Sequence, residues 1–127
     1  MFQLALKPSF KKRPLEPETF AAEGGNVTMM CNPEAAPRPK FIWKKDGNMI
    51  GGGGRRRMLD TGSLIISPVS RDDEGTYVCQ ASNQYGSDES RGRLIVLSEY
   101  ILFIYVFAQK KQATTILWTI YIFFIFR

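Results

Sequence analysis

Asp73-Glu74-Gly75-Thr76-Tyr77-Val78-Cys79 is the stretch on which the fold reading turns. Tyr77, Cys79 and Ala81 alternate with Val78 and Gln80, a period of two that marks a strand with one buried face. The other cysteine, Cys31, lies 48 residues upstream, and Trp43 follows it after twelve. Other short alternating runs surround this segment. Val27, Met29 and Cys31 alternate with Thr28 and Met30, Phe41 and Trp43 with Ile42 and Lys44, and Leu64 and Ile66 with Ile65, while Leu94 and Val96 close the series. Turn signals separate them at Glu23-Gly24-Gly25, Asp46-Gly47, Gly51–Gly54 and Asn83–Gly86. Asn32–Lys40 holds three prolines and reads as a loop. Period-two runs at roughly ten-residue spacing predict an all-β antiparallel sandwich or barrel.

Composition narrows the function classes. The chain has 127 residues and no histidine, which removes Ser-His-Asp and Cys-His catalysis and every zinc site built on histidine. Two cysteines are too few for a four-cysteine zinc site. No metal and no cofactor is expected. Lys plus Arg is 17 against 12 for Asp plus Glu, a net +5 that does not by itself imply nucleic acid. Phe41, Trp43 and Tyr77 are all assigned inward, so no stacking platform for bases is expected and no nucleic-acid partner.

The segment D-E-G-T-Y-V-C, residues 73–79, resembles the D-x-G-x-Y-x-C signature of the immunoglobulin superfamily. Gly62-Ser63-Leu64-Ile65-Ile66-Ser67-Pro68-Val69 resembles the matching run of its intermediate set (I-set). The resemblance implies a Greek-key β-sandwich of two antiparallel sheets, with seven to eight strands, over residues 8–97. Residues 1–7 are then an N-terminal extension and 98–127 a hydrophobic tail outside the fold. It implies that Cys31 and Cys79 form an inter-sheet disulfide packed on Trp43, and that Tyr77 ties the chain at a corner. Leu64, Asp73 and Gly75 complete the core signature. The other reading is a pair of buried free thiols, as in cytosolic muscle-type domains. A bridge closing this loop is worth about 4 kcal/mol and needs an oxidising compartment. Asp72, Asp73 and Glu74 read as structural acids. By resemblance Asp73 pairs with a basic residue, Arg55 first, with Arg56 and Arg57 as alternatives.

Ala21-Ala22-Glu23-Gly24-Gly25-Asn26-Val27 and the run from Cys31 to Lys45, with Ala36-Pro37-Arg38-Pro39-Lys40-Phe41 at its centre, are similar to the fifth immunoglobulin domain of contactins. Contactins are neural and junctional adhesion proteins with six such domains, four fibronectin type III domains and a lipid anchor. The resemblance implies a fragment of a multidomain cell-surface protein. Its implied partners are neighbouring immunoglobulin domains, immunoglobulin-family adhesion molecules and neurexin-like receptors, with membrane association through the parent protein. A structural domain of a cytosolic muscle-type scaffold and a tail-anchored receptor fragment are the alternatives.

Outward positions carry the remaining candidates. If Cys31 points in, then Asn26, Thr28 and Met30 point out, with Ile65 beside them. On the other sheet Ile42, Val78 and Ile95 point out among Lys44, Arg91 and Arg93, a possible contact face. Arg55-Arg56-Arg57 reads either as an acid-binding patch or as one structural and two solvated arginines. Gly51–Gly54 is not a phosphate loop, because no G-K-[ST] follows. Asn26-Val27-Thr28 is an N-glycosylation acceptor sequence. In the tail, Ile, Phe and Tyr make up 14 of residues 99–127. Its longer apolar run, Ala113 to Phe126, is short of the ~20 residues of a membrane span. Translated non-coding sequence at an exon end is the simplest account, and a hydrophobic anchor is the other.

Overall fold

Ten short strands arise from this alternation in the computed structural model, which describes residues 4–109. They are β1 (Leu6–Ser9), β2 (Glu18–Ala22), β3 (Val27–Met29), β4 (Glu34–Ala36), β5 (Lys40–Lys45), β6 (Asn48–Met49), β7 (Arg56–Met58), β8 (Leu64–Ile66), β9 (Gly75–Asn83) and β10 (Gly86–Leu97). A five-stranded sheet runs β2-β10-β9-β5-β6, facing a three-stranded sheet β3-β8-β7, with β1 and β4 paired to one side. Buried Cys31, Trp43, Leu64, Ile66, Tyr77, Cys79, Ala81 and Leu94 fill the space between the sheets. The inward positions are those the alternation selected, because side chains on a strand point to opposite faces in turn.

The fold is the expected immunoglobulin-like sandwich, with differences in detail. Among the described residues the strands pair antiparallel except at one edge, where β2 runs parallel to β10 with Phe20 opposite Ile95. Pro14 and Pro17 lead the chain into β2 without a ladder donor of their own, and the Pro17 carbonyl accepts from the Arg93 N–H at 2.9 Å. The proline-rich segment 32–40 is not loop throughout. Glu34–Ala36 form β4 between Pro33 and Pro37, where no proline interrupts pairing with β1. β1 itself begins at Leu6, inside the expected extension. The Asn83 Nδ2 donates to the carbonyls of Leu6 (2.8 Å) and Pro37 (3.2 Å), which binds β1 and the end of β4 to the β9 corner. β6 forms because Asp46-Gly47 closes a two-residue hairpin in which both residues have positive φ, 49° and 86°. That is the turn whose twist suits antiparallel strands.

The tail departs most from expectation. Its first residues form a helix, α1 (Glu99–Gln109), that contacts β2 and β10. Ser98 caps it, its Oγ accepting from the Ile101 N–H at 3.2 Å. Tyr100–Ala108 contains no glycine or proline to stop the helix. Ile104, Phe107 and Ala108, spaced three and four apart, are half-buried, while Tyr100 and Ile101 are exposed. No helix among the described residues is long and apolar enough to cross a membrane. The rest of the tail, including the run from Ala113 to Phe126, lies outside the described residues.

Because the buried core side chains among the described residues all precede α1, a chain ending at Ser98 is expected to melt in one cooperative transition with its disulfide intact. Its melting temperature should fall by no more than the few degrees that loss of about 1 kcal/mol of edge contact produces in a domain of this size. A broad, non-cooperative melt of the shortened chain would show that α1 belongs to the folding unit.

Candidate functional site

The interior is tied by two sets of contacts. Cys31 Sγ and Cys79 Sγ are 2.02 Å apart, with their Cα atoms separated by 6.4 Å across the two sheets. Trp43 is the β5 neighbour directly opposite Cys79 on β9, so its ring lies beside the bridge. Its Nε1–H donates to the Gly62 carbonyl at 2.8 Å, which removes the one polar group the indole would otherwise bury unpaired.

The second set centres on Asp73, whose side chain is wholly buried. It ends a 3-10 turn, Arg71–Asp73, capped by Ser70. The Arg55 Nη1 donates to Asp73 Oδ2 at 2.5 Å and the Arg56 Nη2 to Oδ1 at 2.9 Å, while the Ser70 N–H donates to Oδ2 at 2.7 Å. Arg55 is the basic residue expected opposite Asp73, and Arg56 joins it. Arg57, the third candidate, lies outward on β7 opposite Ile65. The three-arginine run is thus divided: two arginines neutralise one internal carboxylate and one faces solvent. Desolvation pushes the Asp73 carboxyl up, but the guanidinium of Arg55, the Ser70 amide and Arg56 outweigh it and hold the group below its ordinary value. The Tyr77 hydroxyl donates to the Asp73 carbonyl at 2.5 Å, and burial pushes its pKa up to about 12.

Gly75, inside the same motif, is required by a close approach. A β-carbon there would sit 2.7 Å from the Asp46 carboxylate. Asp46 accepts the Thr76 N–H at 3.0 Å and its own N–H donates to the Thr76 carbonyl at 2.9 Å, which fastens the β5–β6 hairpin to β9. The Thr76 amide, with Lys45 beside it, holds the Asp46 carboxyl low.

The outer face of β6-β5-β9-β10 carries the expected contact residues, but in a different grouping. Met49, Lys44, Val78 and Arg91 form one cross-strand row, and Arg93 sits in the next row opposite Thr76. Ile42 lies on the other side, in the row of Gln80 and Glu89. Ile95 is displaced to the parallel edge beside Phe20, six residues along the strand from the Ile42 row, or roughly 20 Å. Ile42, Val78 and Ile95 therefore do not make one apolar patch. What is contiguous is cationic: Lys44, Arg91 and Arg93 cluster around Val78, and none of them is in an ion pair among the described residues. Met49, Gln80 and Glu89 were missed from sequence; the Asp46-Gly47 hairpin, which pairs Lys44 with Met49, was the signal for the first.

A groove of about 310 Å³ opens between the Pro33–Pro39 segment and Asp60–Thr61, next to Phe41. Its charged groups are Arg38 and Asp60, with no nucleophile paired to a base. On the opposite sheet Asn26 is exposed ahead of β3, and Thr28 pairs with Ile65 on β8.

Asp73 makes stability pH-dependent with a definite sign. Its folded pKa lies below the unfolded value of about 3.9, so its contribution is present above that pH and is lost as pH falls through the folded pKa. Asp73→Asn should therefore cost about 3–5 kcal/mol at neutral pH, by leaving two arginines facing no carboxylate, and should flatten the acid limb of a urea-midpoint-against-pH curve. An unchanged acid limb would place the acid sensitivity elsewhere. Reduction of Cys31–Cys79, which closes a 48-residue separation, should cost about 4 kcal/mol, read as a drop in urea midpoint with dithiothreitol.

Three comparisons bear on this framework. The family model for the immunoglobulin domain matches residues 7–83. Contactin of Drosophila melanogaster is 66% identical over 96 residues, 76% of this chain and 7% of that protein, and human Contactin-1 is 40% identical over 93 residues, 73% of this chain and 9% of that protein. The chain thus spans less than a tenth of either of these contactins. Among solved structures, the neural ectodermal development factor IMP-L2 superposes with a TM-score of 0.68 at 30% identity, over 79% of this chain and 48% of that one. The titin M3 domain superposes at 0.64 and 29%, over 72% and 98%. The family match takes in more than half of the chain and contains both cysteines, Trp43 and Tyr77, and the chain therefore belongs to the immunoglobulin domain family.

Proposed function

We propose that this domain is an extracellular adhesion module of a contactin-like, multidomain cell-surface protein. It is non-catalytic and acts through protein contacts made by the outer face of β6-β5-β9-β10. The observation that carries the contact face is the cluster of Lys44, Arg91 and Arg93 around Val78, three cations in no ion pair among the described residues, on a broad sheet surface. Unpaired charges around an apolar centre suit an acidic protein surface, where complementary potentials set association rate and orientation. Immunoglobulin-family adhesion molecules and neurexin-like receptors are the partner classes that the contactin similarity suggests, with adjoining domains of the same protein as further contacts.

The likeness to titin supports a second reading, a structural domain of a cytosolic scaffold. The Cys31–Cys79 bond weighs against it, because cytosolic thiols are kept reduced.

The chain, secreted behind a leader and applied to neural membranes, should bind in a salt-sensitive manner. Replacing Lys44, Arg91 and Arg93 together by Glu should weaken binding by about tenfold or more. Arg57→Glu, on the other sheet, should leave it within about twofold, the scale on which a charge outside an interface acts. Equal binding by the triple variant would exclude this face, and two free thiols in the protein isolated from its native cells would favour the cytosolic reading.

A further inference from the structure

We propose that Asn26 carries an N-linked glycan, and that this glycan covers the outer face of β3-β8-β7, leaving the domain with one protein-contacting side. The inference rests on the extracellular reading above. Asn26-Val27-Thr28 is the one Asn-X-Ser/Thr sequence in the 127 residues. Asn26 and Thr28 are both exposed, while Val27 between them is buried, so the acceptor and the hydroxyl residue that the transferase reads share the solvent face.

The Asn26 carboxamide makes one hydrogen bond among the described residues, through its oxygen. The Ser67 hydroxyl donates to Asn26 Oδ1. No described residue accepts a hydrogen bond from Nδ2, so the nitrogen that would bear the sugar loses no such bond on attachment. An asparagine used as a structural clamp shows the reverse: Asn83 spends both protons of its Nδ2 on the Leu6 and Pro37 carbonyls and could not carry a sugar without losing them. Attachment forms a bond from Nδ2 to the sugar C1 and breaks the C1–O bond to a polyprenyl pyrophosphate donor. The bonding pair leaves with the pyrophosphate, and Nδ2 gives up one proton to the transferase.

What the glycan would cover follows from the register. Thr28, Ile65 and Arg57 form the row across β3-β8-β7, and Met30 lies four residues from Asn26 on the same side, roughly 13 Å along the strand. Met30 is 70% exposed, the sort of apolar surface that a bulky, solvated oligosaccharide shields. Met49 is 69% exposed and belongs to the five-stranded sheet, on the far side of the sandwich. The two methionines therefore serve as matched reporters of the two faces.

Translation of the full chain behind a secretory leader, in the presence of microsomes, should give one slower-migrating band that endoglycosidase H removes. The band should be absent from Asn26→Gln and retained in Thr28→Ser. No shift in the unaltered chain, or a shift that persists in Asn26→Gln, would overturn the proposal. This readout does not depend on folding or on secretion, so it can fail while the adhesion reading stands, and the thiol state can fail while the glycan is found. For the covering role, the glycosylated protein and its enzymatically deglycosylated form are oxidised with dilute peroxide. Met30 should oxidise several-fold more slowly relative to Met49 when the glycan is present. An unchanged Met30-to-Met49 ratio would show that the glycan does not shield this face.

Discussion

A fully buried carboxylate organises the lower half of this domain. Asp73 stands at the junction of a 3-10 turn, the arginine run that enters β7, and the start of β9. An isolated charge there would cost several kcal/mol, and Arg55, Arg56 and the Ser70 N–H offset it. Arg55 and Arg56 reach it from the edge of one sheet, and Tyr77 reaches its carbonyl from the other. The network therefore fixes the approach of the two sheets at one end, as the disulfide and Trp43 fix it at the centre. The division of labour is physical: the bridge restricts the unfolded chain, whereas the Asp73 network specifies how the folded sheets align.

With the core tied at two levels, the surface positions are held in register, and the two faces differ in character. The five-stranded side gathers Lys44, Arg91 and Arg93 around Val78 because β9 pairs in register with β5 on one side and, through the turn at Gln84-Tyr85, with β10 on the other. The three-stranded side gathers Asn26, Thr28, Met30, Ile65 and Arg57, with a single cation opposite Ile65. A domain working within a string of others benefits from such asymmetry, since one face can meet a partner while the other stays solvated. The helix α1 contacts β2 and β10, and its Ile104, Phe107 and Ala108 are half-buried.

The strands and the core were legible because alternation with period two is a local signal. Val27, Met29, Cys31, Trp43, Tyr77 and Leu94 needed only their own neighbours in sequence to be assigned inward. The family resemblance rested on equally local material, the residues around Cys79 and the run before Trp43. What escaped was set by contacts distant in sequence. β4 exists because β1, some thirty residues earlier, supplies its ladder. The helix had a readable start at Ser98-Glu99, but an apolar run rich in Ile, Phe and Tyr reads equally as strand, and packing against β2 and β10 decides between them.

By itself, then, the sequence determined the alternating strands, the inward set, the two candidate cysteines and the acceptor sequence at Asn26, because each is encoded within a few residues, while the choice of sandwich over barrel came from the family resemblance. Only the tertiary structure decided which arginines Asp73 takes, that β2 joins β10 in parallel, and that Ile95 stands roughly 20 Å along the sheet from Ile42. These depend on register between strands, and register is a property of the assembled sheet rather than of any one strand.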